Sequence, residues 1–220
     1  VFTAGQWKSL WIDVTADPAL AAGEYPLTLR FEDIASGALI ASLTTQVTIL
    51  PVELPPITFP HTEWFYADCL ADYYQVPVFS EAHWTILENF IRTAAKRGIT
   101  MMLTPQFTPP LDTAVGHERT PVQLVKVTRT DGEYTFDFSD LKRWLLLCQS
   151  CGIRYFEMSH LFSQWGAVAA PNIWVTEQGQ TRRMFGWDTP AVGGEYTRFL
   201  LTYLPRLRAL LQELGLEGRT

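Results

Sequence analysis

The sequence predicts an all-β segment followed by the first portion of a (β/α)8 TIM-type barrel. Three observations carry this. Residues 1–50 alternate apolar and polar positions in short runs broken by Pro, Gly, Asp and Ser, as half-buried antiparallel strands do. "LPVELPPIT", Leu50 to Thr58, holds three prolines and no periodicity, so it reads as a stiff linker. Beyond it, helical patterns alternate with short apolar runs, the signature of βα units around a parallel sheet.

In order along the chain, "SLWIDVT", "GEYPLTLRF" and "ALIASLTTQVTIL" are the expected strands of the first segment. The phrase "LWIDVTADPALAAGEYPLTLRF" resembles the sandwich modules that precede catalytic domains in many carbohydrate-active enzymes. Three strands are too few for a whole sandwich, so the C-terminal part of one is expected. The predicted organisation is a partial β-sandwich over 1–50, a linker over 51–57 and a barrel portion over 58–220.

Three helices stand out in the barrel portion. One starts at the N-cap candidate Ser80, carries Trp84, Leu87, Ile91 and Ala94 at helical spacing, and stops at Gly98. The next has Ser139 as its expected cap, Leu141, Trp144, Leu145 and Cys148 on one face, and Gly152 at its end. The last runs from about Gly194 to Leu214, with a kink expected at Pro205, and closes at Gly215. Strands follow the first two, in "GITMMLTP" and "GIRYFEMS". By the same rule a strand is due near Leu216, and since a closed barrel takes about 250 residues, the chain reads as a fragment.

At 220 residues, 47% hydrophobic and 18% charged, the chain can bury a sizeable core. A net charge of -6 and no run of Lys and Arg argue against nucleic acid or an anionic membrane as partner. No stretch reaches the roughly 20 apolar residues of a membrane span. The odd cysteine count (Cys69, Cys148, Cys151) suits reduced thiols and slightly favours a cytoplasmic setting. "CQSC" at a helix end has no second pair for zinc. The opening residues lack a signal-peptide pattern, but the chain begins with Val, so a preceding signal lies outside this reading.

In a parallel barrel, function collects at the carboxyl ends of the strands and in the loops after them. Here those places carry "HTEWFYADCLADYY", "TPQFTPPLDT", "SHLFSQWG" and "FGWDT". Strand alternation puts Tyr155, Glu157 and Ser159 on one face and Phe156 and Met158 on the other. A carboxylate there needs a partner, either a ligand in a pocket or a structural ion pair. His61 and His160 are either structural hydrogen-bonders or site residues. Trp64, Trp165 and Trp187 either roof the barrel or offer faces on which sugars stack, each near a polar residue suited to hydroxyls: Asp68, Gln164 and Asp188. Asp112 stands in the loop after the second strand. His61, Asp68, Glu157 and His160 are possible metal ligands by type, but no H-x-H or H-E-x-x-H motif supports a metal, and Glu157 and His160 would tend to face opposite ways. Neither metal nor cofactor is expected, and no P-loop, dinucleotide fingerprint or G-x-S-x-G elbow is present.

Together "HTEWFYADCLADYY", "MLTPQFTPPLDT", "YFEMSHLFSQWGA" and "FGWDT" resemble the catalytic-domain family of glycoside hydrolase family 123, over about residues 56–220. The resemblance implies a retaining, exo-acting β-N-acetylgalactosaminidase whose substrate's own 2-acetamido oxygen replaces the enzyme nucleophile. It also implies a partner carrying terminal β-linked N-acetylhexosamine, and an Asp-Glu pair in which Asp orients the acetamido group and Glu protonates the leaving oxygen. In the family that pair lies in an S-D-E-P-like motif after the fourth strand, which this sequence lacks. Its only adjacent acids, Glu32 and Asp33, lie in the first segment, so the pair is expected beyond residue 220. The residues expected to line a sugar pocket are His61, Trp64, Asp68, Asp112, Glu157, His160, Gln164, Trp165, Trp187 and Asp188. Two rival readings are a carbohydrate-binding or structural protein without catalysis, and a metal-dependent hydrolase.

Overall fold

The computed structural model describes residues 5–17 and 19–220, and the chain divides into two compact units, 1–56 and 57–220. In the first, β1 (Gly23–Glu32) and β2 (Leu39–Ile49) form one antiparallel pair, Gly23 facing Ile49. Asp33 closes the turn between them, accepting from the Ser36 N–H at 2.8 Å and its hydroxyl at 2.7 Å. "SLWIDVT" is not a strand. None of the described residues of this unit is buried.

The second unit is a mixed α/β structure. Its elements are α1 (Ala67–Tyr74), α2 (Glu81–Lys96), β3 (Met101–Thr104), β4 (Lys126–Thr130), β5 (Glu133–Asp137), α3 (Ser139–Ser150), β6 (Tyr155–Met158), β7 (Ile173–Glu177), β8 (Gln180–Phe185) and α4 (Gly194–Glu213). β3 and β6 pair in parallel, and β5-β4-β7-β8 form a second sheet. Among the described residues the sheets do not close into a barrel.

Helices α2, α3 and α4 stop by one device. Gly98, Gly152 and Gly215 adopt φ of +90°, +100° and +67°. The next residue's N–H then reaches back five positions: Ile99 to the Ala94 carbonyl, Ile153 to Cys148 and Leu216 to Leu211. This is the Schellman stop, and its apolar residue after the glycine is buried each time. The same geometry launches β3 and β6, and after α4 it brings the Arg219 carbonyl to the Phe156 N–H at 2.7 Å. Pro205 lies inside α4, which is assigned without a break from Gly194 to Glu213.

Capping differs from expectation once. Ser80 caps α2, accepting from the His83 N–H at 3.3 Å. Ser139, however, is the first residue of α3 and no cap. Asp137 Oδ1 accepts its N–H at 2.9 Å, because a carboxylate two residues upstream reaches the free amide that a serine within the first turn does not.

The sheet of β4, β5, β7 and β8 consists of two hairpins joined by the parallel β4–β7 pairing. Asp131-Gly132 and Gln178-Gly179, all at positive φ, make their turns. One face packs on α4: Phe136 lies 5.2 Å from Tyr203, and Phe185 5.1 Å from Phe199, centroid to centroid. The core thus runs from the β3–β6 pair through this sheet to the helices.

Candidate functional site

Parallel pairing assembles the site. Met101 lies opposite Tyr155 and Thr104 opposite Met158, so the carboxyl ends of β3 and β6 coincide. Beside the start of β3, the His61 carbonyl accepts from the Thr100 and Met101 N–H groups at 3.0 and 2.9 Å. The chain then advances to Trp64, whose indole N–H donates to Glu157 Oε2 at 2.7 Å across 93 positions of sequence. The His160 ring meets the Trp64 ring edge-on, 5.8 Å between centroids.

The loops above this pair are fixed by a polar chain. Tyr66 O–H donates to Asp112 Oδ2 at 2.5 Å, and the Asp112 N–H donates to Gln164 Oε1 at 2.9 Å. Asp112 sits at φ +54°, which Asp tolerates better than most residues. Beneath Tyr66, the Arg119 guanidinium lies 3.9 Å from the ring centroid and binds Asp68 through two contacts, 2.8 and 3.2 Å. Burial, then the Asp112 hydrogen bond, pushes the Tyr66 hydroxyl far above the ordinary phenol range, so it remains a donor. Burial works against the Arg119 charge, but the hydrogen bonds it donates to Asp68, together with the nearby negative charge of that carboxylate, outweigh burial and raise its pKa.

The floor is rigid. Ser159, buried just past β6, donates its hydroxyl to the Phe107 carbonyl at 2.8 Å. Its own carbonyl accepts from Gln106 Nε2 at 2.6 Å, and Gln106 Oε1 accepts from the Tyr203 hydroxyl of α4 at 2.7 Å. This satisfied buried network ties the loop after β3, the end of β6 and α4 together.

Around the Trp64–Glu157 pair opens a cleft of about 430 Å³ lined by Thr62, Glu63, Trp64, Tyr66, Asp112 and Glu157, within the range of about 300–1,000 Å³ usual for small-molecule sites. Thr62, Glu63, Trp64 and Tyr66 all come to it from the one segment that leads from His61 into α1. The Thr62 hydroxyl is buried with no protein partner among the described residues. The lining offers an indole, carboxylates that accept from hydroxyls and hydroxyls that donate, which suits a neutral polyol.

The expected site residues do not all meet here. Trp64, Asp112 and Glu157 line the cleft, and His160 and Gln164 touch its walls. His61 is held by backbone hydrogen bonds at the amino end of β3, with its ring against Phe59. Asp68 is buried in its ion pair with Arg119. Trp165 is 75% exposed at φ +64°. Trp187 donates to the His117 carbonyl at 3.0 Å, and Asp188 is an exposed partner of Arg183 at 3.2 Å. Sequence reasoning missed Thr62, Glu63, Tyr66, Arg119 and Gln106. The available signal was the polar and aromatic run Thr62 to Tyr66 around the residue already singled out, Trp64. Among the described residues, no group of three or more His, Cys, Asp or Glu could hold a metal, and no helix is long and apolar enough to cross a membrane.

A cleft lined by an indole, carboxylates and hydroxyls is compatible with a carbohydrate-acting enzyme, and comparison with known proteins gives the class. Residues 64–220 match the family model described as "Glycoside hydrolase 123, catalytic domain", so the chain belongs to that family. Its fold is similar to that of a solved family 123 glycoside hydrolase from Clostridium perfringens, described as revealing details of glycolipid glycan hydrolysis. The TM-score is 0.62 at 15% identity, over 92% of this chain and 36% of that one. The chain therefore spans about a third of that protein's length. No curated protein matches it.

Proposed function

We propose that the cleft of Thr62, Trp64, Tyr66, Asp112 and Glu157 holds a terminal β-linked N-acetylgalactosamine, which the whole enzyme removes by an exo-acting, retaining mechanism. The sugar's 2-acetamido oxygen attacks the anomeric carbon and forms an oxazoline as the glycosidic bond breaks. A carboxylic acid protonates the departing oxygen, and water then opens the ring with net retention. In this reading the present chain binds and orients the sugar, and an Asp-Glu pair outside these 220 residues performs the acid chemistry. Glu32-Asp33 is not taken as that pair: exposed Glu32 is held by Arg30 at 3.0 Å, and Asp33 is engaged in its own turn by the Ser36 N–H and hydroxyl.

The same reading makes β3, β6 and the segments at His61 and Arg219 the first strands of a (β/α)8 barrel over 58–220. The β1–β2 pair is then part of a sandwich over 1–50, joined by the linker 51–57. A glycolipid glycan is the natural substrate class, given the Clostridium relative. The observation that carries the proposal is the Trp64–Glu157 hydrogen bond at 2.7 Å, which orients an indole and a carboxylate on one cleft.

Glu157→Gln in the whole enzyme tests it. A lost charged hydrogen bond is worth about 1.5–3 kcal/mol, so kcat/KM on an aryl β-N-acetylgalactosaminide should fall by about 10- to 100-fold. Equal losses are expected for good and poor leaving groups. Selective rescue by a good leaving group would make Glu157 the acid and overturn the assignment.

A further inference from the structure

The outer face of the β5-β4-β7-β8 sheet carries a larger cavity than the cleft. Its inner face is apolar, with Val127, Val175 and Phe185 buried against the core. Its outer face is not. Thr135 pairs with Thr128, Thr128 with Thr176, and Thr176 with Thr181, so four threonines stand in one row across four strands. Strands lie about 4.8 Å apart, which makes the row a regular array of hydroxyls. One pleat away, half-buried Trp174 stands opposite Arg183. Trp174, Thr128, Thr176 and Thr181, with Phe79 at one edge, line a hollow of about 600 Å³.

The face is electrically balanced. Lys126 is paired with Asp140 at 2.9 Å, Asp137 in the lining accepts from the Ser139 N–H at 2.9 Å, and Arg183 is paired with Glu118 at 3.3 Å and Asp188 at 3.2 Å. An anion or cation would have to break these pairs. A neutral ligand with many hydroxyls and an apolar C–H face would not: it lays the C–H face on the indole and its hydroxyls on the threonines.

We propose that this face is a second carbohydrate-binding site for a short neutral oligosaccharide, separate from the cleft. The inference extends the glycan reading above to a surface that the hydrolytic mechanism does not use. A site of this kind would hold the enzyme on a glycan-bearing surface while the cleft engages a terminal sugar.

The test is fluorine NMR of the chain labelled with 5-fluorotryptophan, titrated with a neutral tetrasaccharide ending in β-linked N-acetylgalactosamine. The Trp174 and Trp64 signals are assigned from Trp→Phe variants. The Trp174 signal should move saturably at millimolar sugar in the parent and in Trp64→Ala alike. A Thr128→Lys/Thr181→Lys double variant, altered at two exposed positions, should weaken the Trp174 response at least about tenfold, to the loss expected for about 1.4 kcal/mol. Its Trp64 response should persist. A Trp174 signal that stays still while Trp64 moves overturns the second site and leaves the cleft reading intact. Movement of Trp174 alone overturns the cleft reading and supports the second site. Stillness of both overturns both.

Discussion

Asp68 and Glu157 are carboxylates in neighbouring parts of one site, yet losing the charge should act differently at each. Asp68 has 6% of its side chain exposed and faces Arg119, itself 10% exposed, through two hydrogen bonds. Asp68→Asn would leave a buried guanidinium without its counterion, so a loss of about 3–5 kcal/mol in urea-unfolding free energy is expected. Glu157 borders the open cleft, and Glu157→Gln should leave that free energy nearly unchanged. His83 adds a pH dependence. It is fully buried, its Nδ1 accepts from the Phe79 N–H at 2.9 Å, and Nε2–H donates to the Ala67 carbonyl at 3.0 Å, a tautomer fixed by those partners. Burial lowers its pKa below the ordinary 6.5. The unfolded chain therefore takes up the proton first as pH falls. The stability His83 preserves should be whole above about pH 6.5 and decline below it until the depressed folded pKa is passed, with a slope of up to about 1.4 kcal/mol per pH unit. Urea titrations of the parent and His83→Gln over that interval measure it, and an equal slope in both would remove His83 as the cause.

At the scale of elements, the helix stops allow a paired comparison. Gly98 and Gly152 share nearly the same positive φ, but a Cβ at Gly98 would lie 2.8 Å from Ile57 Cδ1, whereas at Gly152 the nearest atom is 3.9 Å away. Gly152→Ala should cost the left-handed penalty of about 1–2 kcal/mol. Gly98→Ala should cost more by whatever Ile57 must yield, and thermal unfolding of the two variants ranks them. These stops and the helices before them were legible in the sequence because each is local: a 3.6-residue period ending in glycine. The two hairpins carried equally local turns in Asp131-Gly132 and Gln178-Gly179, but their strands "VKVTRT" and "IWVTE" lay between stronger helical patterns and passed as loop. The Trp64–Glu157, Asp68–Arg119 and Tyr66–Asp112 pairs were not legible. Their partners lie 46 to 93 positions apart and meet only once β3 and β6 are side by side. "SLWIDVT" shows the converse, a strand-like alternation that forms no strand.

For the whole molecule, every buried core residue lies between Ala67 and Leu216, and no described residue before 57 is buried. A chain trimmed to residues 57–220 should therefore melt within about 4 °C of the parent, the shift that about 1 kcal/mol produces in a domain of this size. A larger fall would place stabilising contacts in the first unit. The central claim is that this chain binds the sugar through the cleft at the ends of β3 and β6. The most direct measurement is the proton–nitrogen NMR signal of the Trp64 indole N–H, held by Glu157, as N-acetylgalactosamine is added. A saturable shift of that signal is expected, weakened about tenfold or more in Glu157→Gln. A Trp64 signal that remains in place through millimolar sugar, with the protein folded, would contradict it.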